Sequence, residues 1–85
     1  MQEEEIVARI QECVSRVVDV PVQTVATLCR SDSFGKLGMD SIKGVMFVLE
    51  LETMLAIKFE MDELKAENFR TVSATLETVK SKMLL

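Results

Sequence analysis

A chain of 85 residues, 48% of them hydrophobic, is read as one domain over residues 1–85 that can bury only about 60–65% of its unfolded surface. It contains no His, which removes the usual general base and the commonest metal ligand, so catalytic and metal chemistry are poor expectations. A net charge of −4, without a Lys/Arg cluster or an aromatic stacking platform, disfavours nucleic acid and suits basic protein partners better.

With four Phe and neither Trp nor Tyr, the core must be built from Val, Leu, Ile and Met, which makes it soft. Cys13 and Cys29 show neither CxxC nor zinc spacing, and the sequence leaves a disulfide between them open. Both are read as small buried thiols of a reducing, cytoplasmic compartment. The acidic start MQEEEI has no signal-peptide character, and the longest apolar run, Val45 to Leu49, is far too short to span a bilayer. A soluble protein with no membrane role is expected.

In chain order, residues 3–18 place Ile6, Ile10, Cys13 and Val17 at helical spacing, with Val7, Val14 and Val18 widening the stripe. Glu3, Glu4 and Glu5 favour the positive end of that helix, and Val20-Pro21 ends it. The connection to Asp40 is about twenty residues, longer than a compact domain usually tolerates. Val25, Leu28, Phe34 and Leu37 are spaced to pin it to a core, residues 22–29 can form a helical turn, and Gly35 and Gly38 supply tight backbone.

Residues 41–55, SIKGVMFVLELETML, form the most apolar helix, and it has two faces. One carries Phe47, Val48, Leu51 and Leu55; the other carries Ile42, Val45, Met46 and Leu49. The first is core, and the second needs an explanation. AIKFEM then reads as an extended piece with Ile57, Phe59 and Met61 inward, Asp62 as the cap of a short turn DELKAEN, and Phe69 as the anchor of the next bend. Thr71 caps a last helix whose Val72, Leu76, Val79 and Met83 share a face, with Lys80 and Lys82 near its negative end. The fold class is all-α: a small four-helix bundle, three main helices plus one short helix, with a long first loop.

The segment LGMDSIKG, residues 37–44, is ordinary helix-start grammar, and capping is the simplest role for Asp40-Ser41. Nucleophilic catalysis is disfavoured, because no His exists to activate Ser41, no GxSxG elbow surrounds it, and Lys43 faces away. The same setting suits a serine that receives a phosphodiester. A phosphate in the first turn would meet unsatisfied backbone N–H groups and the positive end of the helix dipole.

LGMDSI resembles the signature of the acyl carrier protein family, leucine-glycine-any-aspartate-serine-leucine/isoleucine, whose serine carries 4′-phosphopantetheine. The resemblance extends through LELE, IKF, DEL and NFRTVSATLETV and covers about residues 5–82. It implies that a phosphopantetheinyl transferase moves the arm from coenzyme A to Ser41, with Asp40 in support. The arm's thiol would then hold acyl groups as thioesters, and the chain would be a monomeric shuttle and not an enzyme. DEL would start a short third helix. The helix after the serine would be read by loading, synthase or transferase enzymes through Ile42, Lys43, Val45, Met46 and Leu49, although Met46 and Leu49 fit the core equally well.

Two departures from the family pattern stand out. Fatty-acid carriers commonly have acidic residues two and five positions after the serine, where this chain has Lys43 and Met46. That favours a carrier of a specialised polyketide or hybrid pathway. Gly44 either leaves space beside the arm, at the mouth of an acyl-holding cavity, or is simply tolerated in the first turn. Met46, Met54 and Met61 could help the core yield to a chain, with gap-filling as the plainer role. Peptidyl carriers more often show glycine-glycine-histidine-serine, so Met39-Asp40 argues for the acyl type over an aminoacyl or peptidyl carrier. An unmodified helical adaptor is the alternative from another class.

Overall fold

Residues 2–83 are described by a computed structural model. Four α-helices carry the fold: α1 (Glu3–Val18), α2 (Val22–Ala26), α3 (Ser41–Leu55) and α4 (Val72–Met83). Three single turns of 3-10 helix, Phe34–Leu37, Met61–Glu63 and Ala66–Asn68, lie in the connections. Among the described residues there is no strand, so the architecture is the expected all-α one with three main helices and a long first loop; the one short α-helix, α2, lies inside that loop and not after α3.

Helix α1 is the post against which the other three pack. Ile6, Val7, Ile10, Cys13, Val14, Val17 and Val18 are buried along one side of it, recurring every three to four residues as a core-facing stripe requires. Three glutamates occupy its first turn. At its other end Asp19 turns left-handed, and the Ser15 carbonyl accepts the N–H groups of Asp19 and Val20. The chain thus reverses before Pro21, which sets the N-terminus of α2.

The long first loop is pinned at several depths. Val25 and Phe34 are buried, while Leu28 and Leu37 pack half-buried against the core. The Phe34 ring meets Phe47 of α3 edge-on at a centroid separation of 5.4 Å. Backbone bonds add a second constraint: Phe34 N–H donates to the Arg70 carbonyl at 2.8 Å, and Ser73 N–H donates to the Arg30 carbonyl at 2.9 Å. The loop is thereby stitched to the entry of α4. The remaining two phenylalanines, Phe59 and Phe69, form a second edge-to-face pair at 5.0 Å, which holds the connection after α3 against the bend before α4.

Helix α3 ends as α1 does, on a left-handed residue, Ala56. Glu52 accepts the Phe59 N–H at 2.9 Å and draws the next segment back under the helix. Thr71 caps α4 by accepting the Ala74 N–H at 3.0 Å, and Val72, Leu76 and Val79 are buried with Met83 packed beside them. Lys80 of α4 pairs with Glu3 of α1 at 3.2 Å. Lys82 pairs with Glu63 at 2.9 Å, and the Glu60 N–H together with the Lys82 ammonium holds the Glu63 carboxyl below the usual carboxylate range.

Several sequence expectations are corrected here. Met61 does not point inward: it is 86% exposed, because the segment turns into 3-10 helix at that residue. Asp62 is not the cap; Glu63 accepts the Glu60 N–H and closes the turn from within. DELKAEN is two 3-10 turns and not one short α-helix. Cys29 is exposed, while Cys13 is buried, and both thiols are free. Burial pushes the Cys13 thiol up to about 11, with the Glu50 carboxylate adding to the effect.

Truncating Phe34 removes the largest buried anchor of the loop, and Phe34→Ala is expected to cost about 3–5 kcal/mol in chemical denaturation. Met61→Ala, at a solvated position, should stay within about 0.5 kcal/mol of the parent. Equal losses at the two positions would contradict this assignment of core and surface.

Candidate functional site

The loop anchored by Phe34 delivers the chain to the start of α3 in a fixed way. Ser33 Oγ accepts the Gly35 N–H at 3.1 Å, and the 3-10 turn that follows ends at Gly38. Gly38 has φ of +93°, a conformation that glycine adopts without the penalty a side chain would impose. The Met39 N–H returns to the Phe34 carbonyl at 3.3 Å, so the residues before α3 are tied to the buried ring.

Asp40, and not Ser41, caps α3. Its Oδ1 accepts the Lys43 N–H at 2.8 Å, and its carbonyl accepts the Gly44 N–H at 2.8 Å. Ser41 is therefore the first residue of the helix proper, exposed, with its hydroxyl released from capping. The N–H groups at the start of a helix have no carbonyl a turn earlier to bond, so this end carries partial positive charge.

A groove of about 470 Å³ opens beside the serine. Its α3 wall is made by Ser41, Gly44, Val45, Val48, Leu49 and Glu52. These positions form one stripe, running about 16 Å at the usual helical rise. Phe34 and Met39 line the groove from the first loop, and Leu64 and Phe69 from the connection to α4. A side chain built on Gly44 would meet nothing within 4 Å, so the glycine widens the groove next to Ser41 without being required by packing.

The second face of α3 is a surface. Ile42 is 75% exposed, Val45 62%, Leu49 57% and Met46 49%, so none of the four belongs to the buried core. Lys43 is half-buried beside them. The acidic residues further along α3 are engaged elsewhere: Glu50 pairs with Arg16 at 3.3 Å, and Glu52 accepts from Phe59. The exposed start of α3 is consequently apolar, with Lys43 as its one ionisable side chain over residues 41–49.

Residues 8–79 match the family model described as the phosphopantetheine attachment site. The chain belongs to that family. No curated protein matches it. Domains of the family carry covalently attached 4′-phosphopantetheine and act as carriers that work with phosphopantetheinyl transferases and synthase enzymes. The surroundings of Ser41 fit such a group: an exposed hydroxyl, a helix end that favours an anion, glycines at positions 38 and 44, and an adjoining groove.

The sequence places Ser41, Asp40 and the exposed face together at the start and along the first turns of one helix, and the structure keeps them there, on α3. It does not foretell the far walls of the groove. Ser33, Leu64, Phe69 and Arg70 come from two separate connections, and no periodicity links them. Capping also falls on Asp40 alone. Asp40→Ala should therefore lower stability by about 1 kcal/mol and Asp40→Asn by only a few tenths, while Ser41→Ala should change it by less than about 0.5 kcal/mol. A denaturation series in which Ser41→Ala costs as much as Asp40→Ala would return the cap to the serine.

Proposed function

We propose that the chain, as a single carrier domain over residues 1–85, is an acyl carrier protein whose Ser41 holds the 4′-phosphopantetheine. The observation that supports this most is the division of labour at the start of α3. Asp40 secures the helix, and Ser41 presents an unencumbered hydroxyl beside a groove of about 470 Å³. When bound, the arm supplies a thiol on which acyl groups are held as thioesters.

The residues of the chain bind, orient and shelter. Ser41 Oγ receives the group from a phosphopantetheinyl transferase, with coenzyme A as donor, and the first turn of α3 steadies the phosphate charge. Asp40 keeps that turn in place through the Lys43 N–H and offers a second carboxylate oxygen to the transferase and its metal. Val45, Val48, Leu49 and Phe69 give an acyl chain an apolar wall to lie against and reduce its contact with water. No group of the chain is asked to break or make the thioester, so the protein is a shuttle and not an enzyme.

Partner enzymes are proposed to read Ile42, Lys43, Val45, Met46 and Leu49. Electrostatic matching sets docking rate and partner choice more than affinity, and this face offers apolar contact around Lys43 in place of carboxylates. That supports a specialised polyketide or hybrid pathway over housekeeping fatty acid synthesis. Acyl cargo is preferred to aminoacyl or peptidyl cargo because the groove beside Ser41 is walled mainly by apolar side chains. Two free thiols are in keeping with a reducing, cytoplasmic location and a monomeric shuttle.

Incubation with coenzyme A and a broad-specificity transferase should add one phosphopantetheine by intact mass, and Ser41→Ala should remove that gain without unfolding the protein. Asp40→Asn, which keeps the cap, should load more slowly. An unmodified wild-type chain would favour the helical adaptor instead. Intact mass of protein from its native host would show the cargo.

Gly44→Ala gives a separate check on the groove. Alanine meets no neighbour there and should stabilise α3 by about 0.5–1 kcal/mol. If the groove shelters the acyl chain, the same substitution should speed hydrolysis of a thioester loaded on the arm. An unchanged hydrolysis rate would end the sheltering role.

A further inference from the structure

The groove beside Ser41 has a cationic rim that an apolar cargo does not need. Lys65 and Arg70 line it, and neither takes part in an ion pair among the described residues. Of the other cations, Arg9, Arg16, Arg30, Lys36, Lys80 and Lys82 are each matched to a carboxylate, while Lys43 and Lys58 are also without an ion pair among the described residues but do not line the groove. The carboxylate on the groove wall, Glu52, is engaged by the Phe59 N–H.

Arg70 is placed by backbone bonds, not by its own side chain. Its carbonyl accepts the Phe34 N–H at 2.8 Å, and the Phe34 carbonyl accepts the Met39 N–H at 3.3 Å. Residue 70 of one connection therefore abuts the turn of residues 34–39 in the other, and Met39 lies two residues before Ser41. This stitching ties the backbone of Arg70 to the loop that leads into Ser41, and both residues line the groove. Its guanidinium is the side chain best suited to a phosphodiester, since its planar fork can give two parallel hydrogen bonds to neighbouring oxygens.

We propose that Arg70 is an anion-binding residue for the phosphodiester of the arm on Ser41, meeting it from across the groove while the first turn of α3 meets it from below. The inference rests on the reading of Ser41 as the attachment residue. An exposed cation paired with a single charge contributes little. Arg70 gains from company: the phosphate oxygens are already oriented by the helix N-terminus, and the backbone of residue 70 is already fixed. The consequence is directional, because an arm gripped from that wall starts toward the groove and not away from it.

The test uses the whole chain, loaded with coenzyme A by a broad-specificity transferase and checked by mass for a gain at Ser41. The Nε–Hε signal of Arg70 in nitrogen-15-labelled protein should move between the unloaded and loaded forms at low salt, and the movement should shrink in high salt. The single phosphorus-31 resonance of the loaded protein should shift toward that of a free phosphodiester in Arg70→Gln, part-way in Arg70→Lys, and not at all in Lys65→Gln. These substitutions leave the Arg70 carbonyl bond to Phe34 in place.

An unmoved Arg70 signal on loaded protein, or a phosphorus resonance in Arg70→Gln that coincides with wild type, overturns this inference and leaves Ser41 as the attachment residue. An equal shift in Lys65→Gln overturns the assignment to Arg70. Absence of the mass gain at Ser41 overturns both readings together.

Discussion

One aromatic ring in a loop sets the geometry on which everything near Ser41 depends. Phe34 is buried although it lies in an irregular connection, and its neighbours in the backbone would be left polar and unpaired if the ring alone were inserted. The structure meets that requirement by using the backbone of the same residue twice, as donor to Arg70 and as acceptor for Met39. Burial therefore fixes depth, and the two hydrogen bonds fix direction. A long loop anchored in this way behaves as a bracket for α3. The same bracket forms one wall of the groove, so the position of the serine and the shape of its neighbouring cavity are not independent quantities.

Helix α3 has to satisfy three surroundings at once, and this accounts for its composition. Phe47, Leu51 and Leu55 face the core, Val48 and Glu52 face the groove, Ile42 and Met46 meet solvent, and Val45 and Leu49 are exposed along the edge of the groove. An amphipathic helix would normally carry charge on its outer side. Here the outer side of the first two turns is apolar, an exposed patch of the kind that would gain if another protein covered it, as proposed above. Acidic residues appear only in the later turns, where Glu50 and Glu52 hold α1 and the Phe59 segment in place. The acidic charge on α3 is thus engaged within the molecule, and Lys43 is the one ionisable side chain left on the first turns of the helix.

The three long helices were legible because each has a period that survives without context. In α1 the apolar residues fall on one stripe, in α4 the offsets from Val72 to Met83 do the same, and both are buried as spaced. On α3 the pattern is nearly continuous, so periodicity could separate two faces but could not say how Met46 and Leu49 divide between them. Packing against α1 decides it, by turning Phe47 and Leu51 inward. Met61 fails for a different reason. Alternation predicts an inward side chain only while the backbone stays extended, and Glu60 and Glu63 close a turn at that point. Of the site, Asp40 and Ser41 were legible from local grammar. The groove walls at Leu64, Phe69 and Arg70 were not, because they exist only when two connections meet.

The exchange of roles between Asp40 and Ser41 bears on why a modified serine can sit at a helix start at all. If the hydroxyl were the cap, esterifying it would remove an acceptor from a first-turn N–H and weaken the helix at the moment a partner has to recognise it. With the carboxylate of Asp40 bonded to the Lys43 N–H, the first turn keeps its acceptor whether or not the serine is substituted. A phosphate added at Ser41 then brings new acceptor oxygens to donors that are still open, and its charge lies favourably against the helix dipole. If Ser41 is the attachment residue as proposed, loading on that helix end leaves the Asp40 cap intact, and the start of α3 keeps its conformation before and after the group is attached.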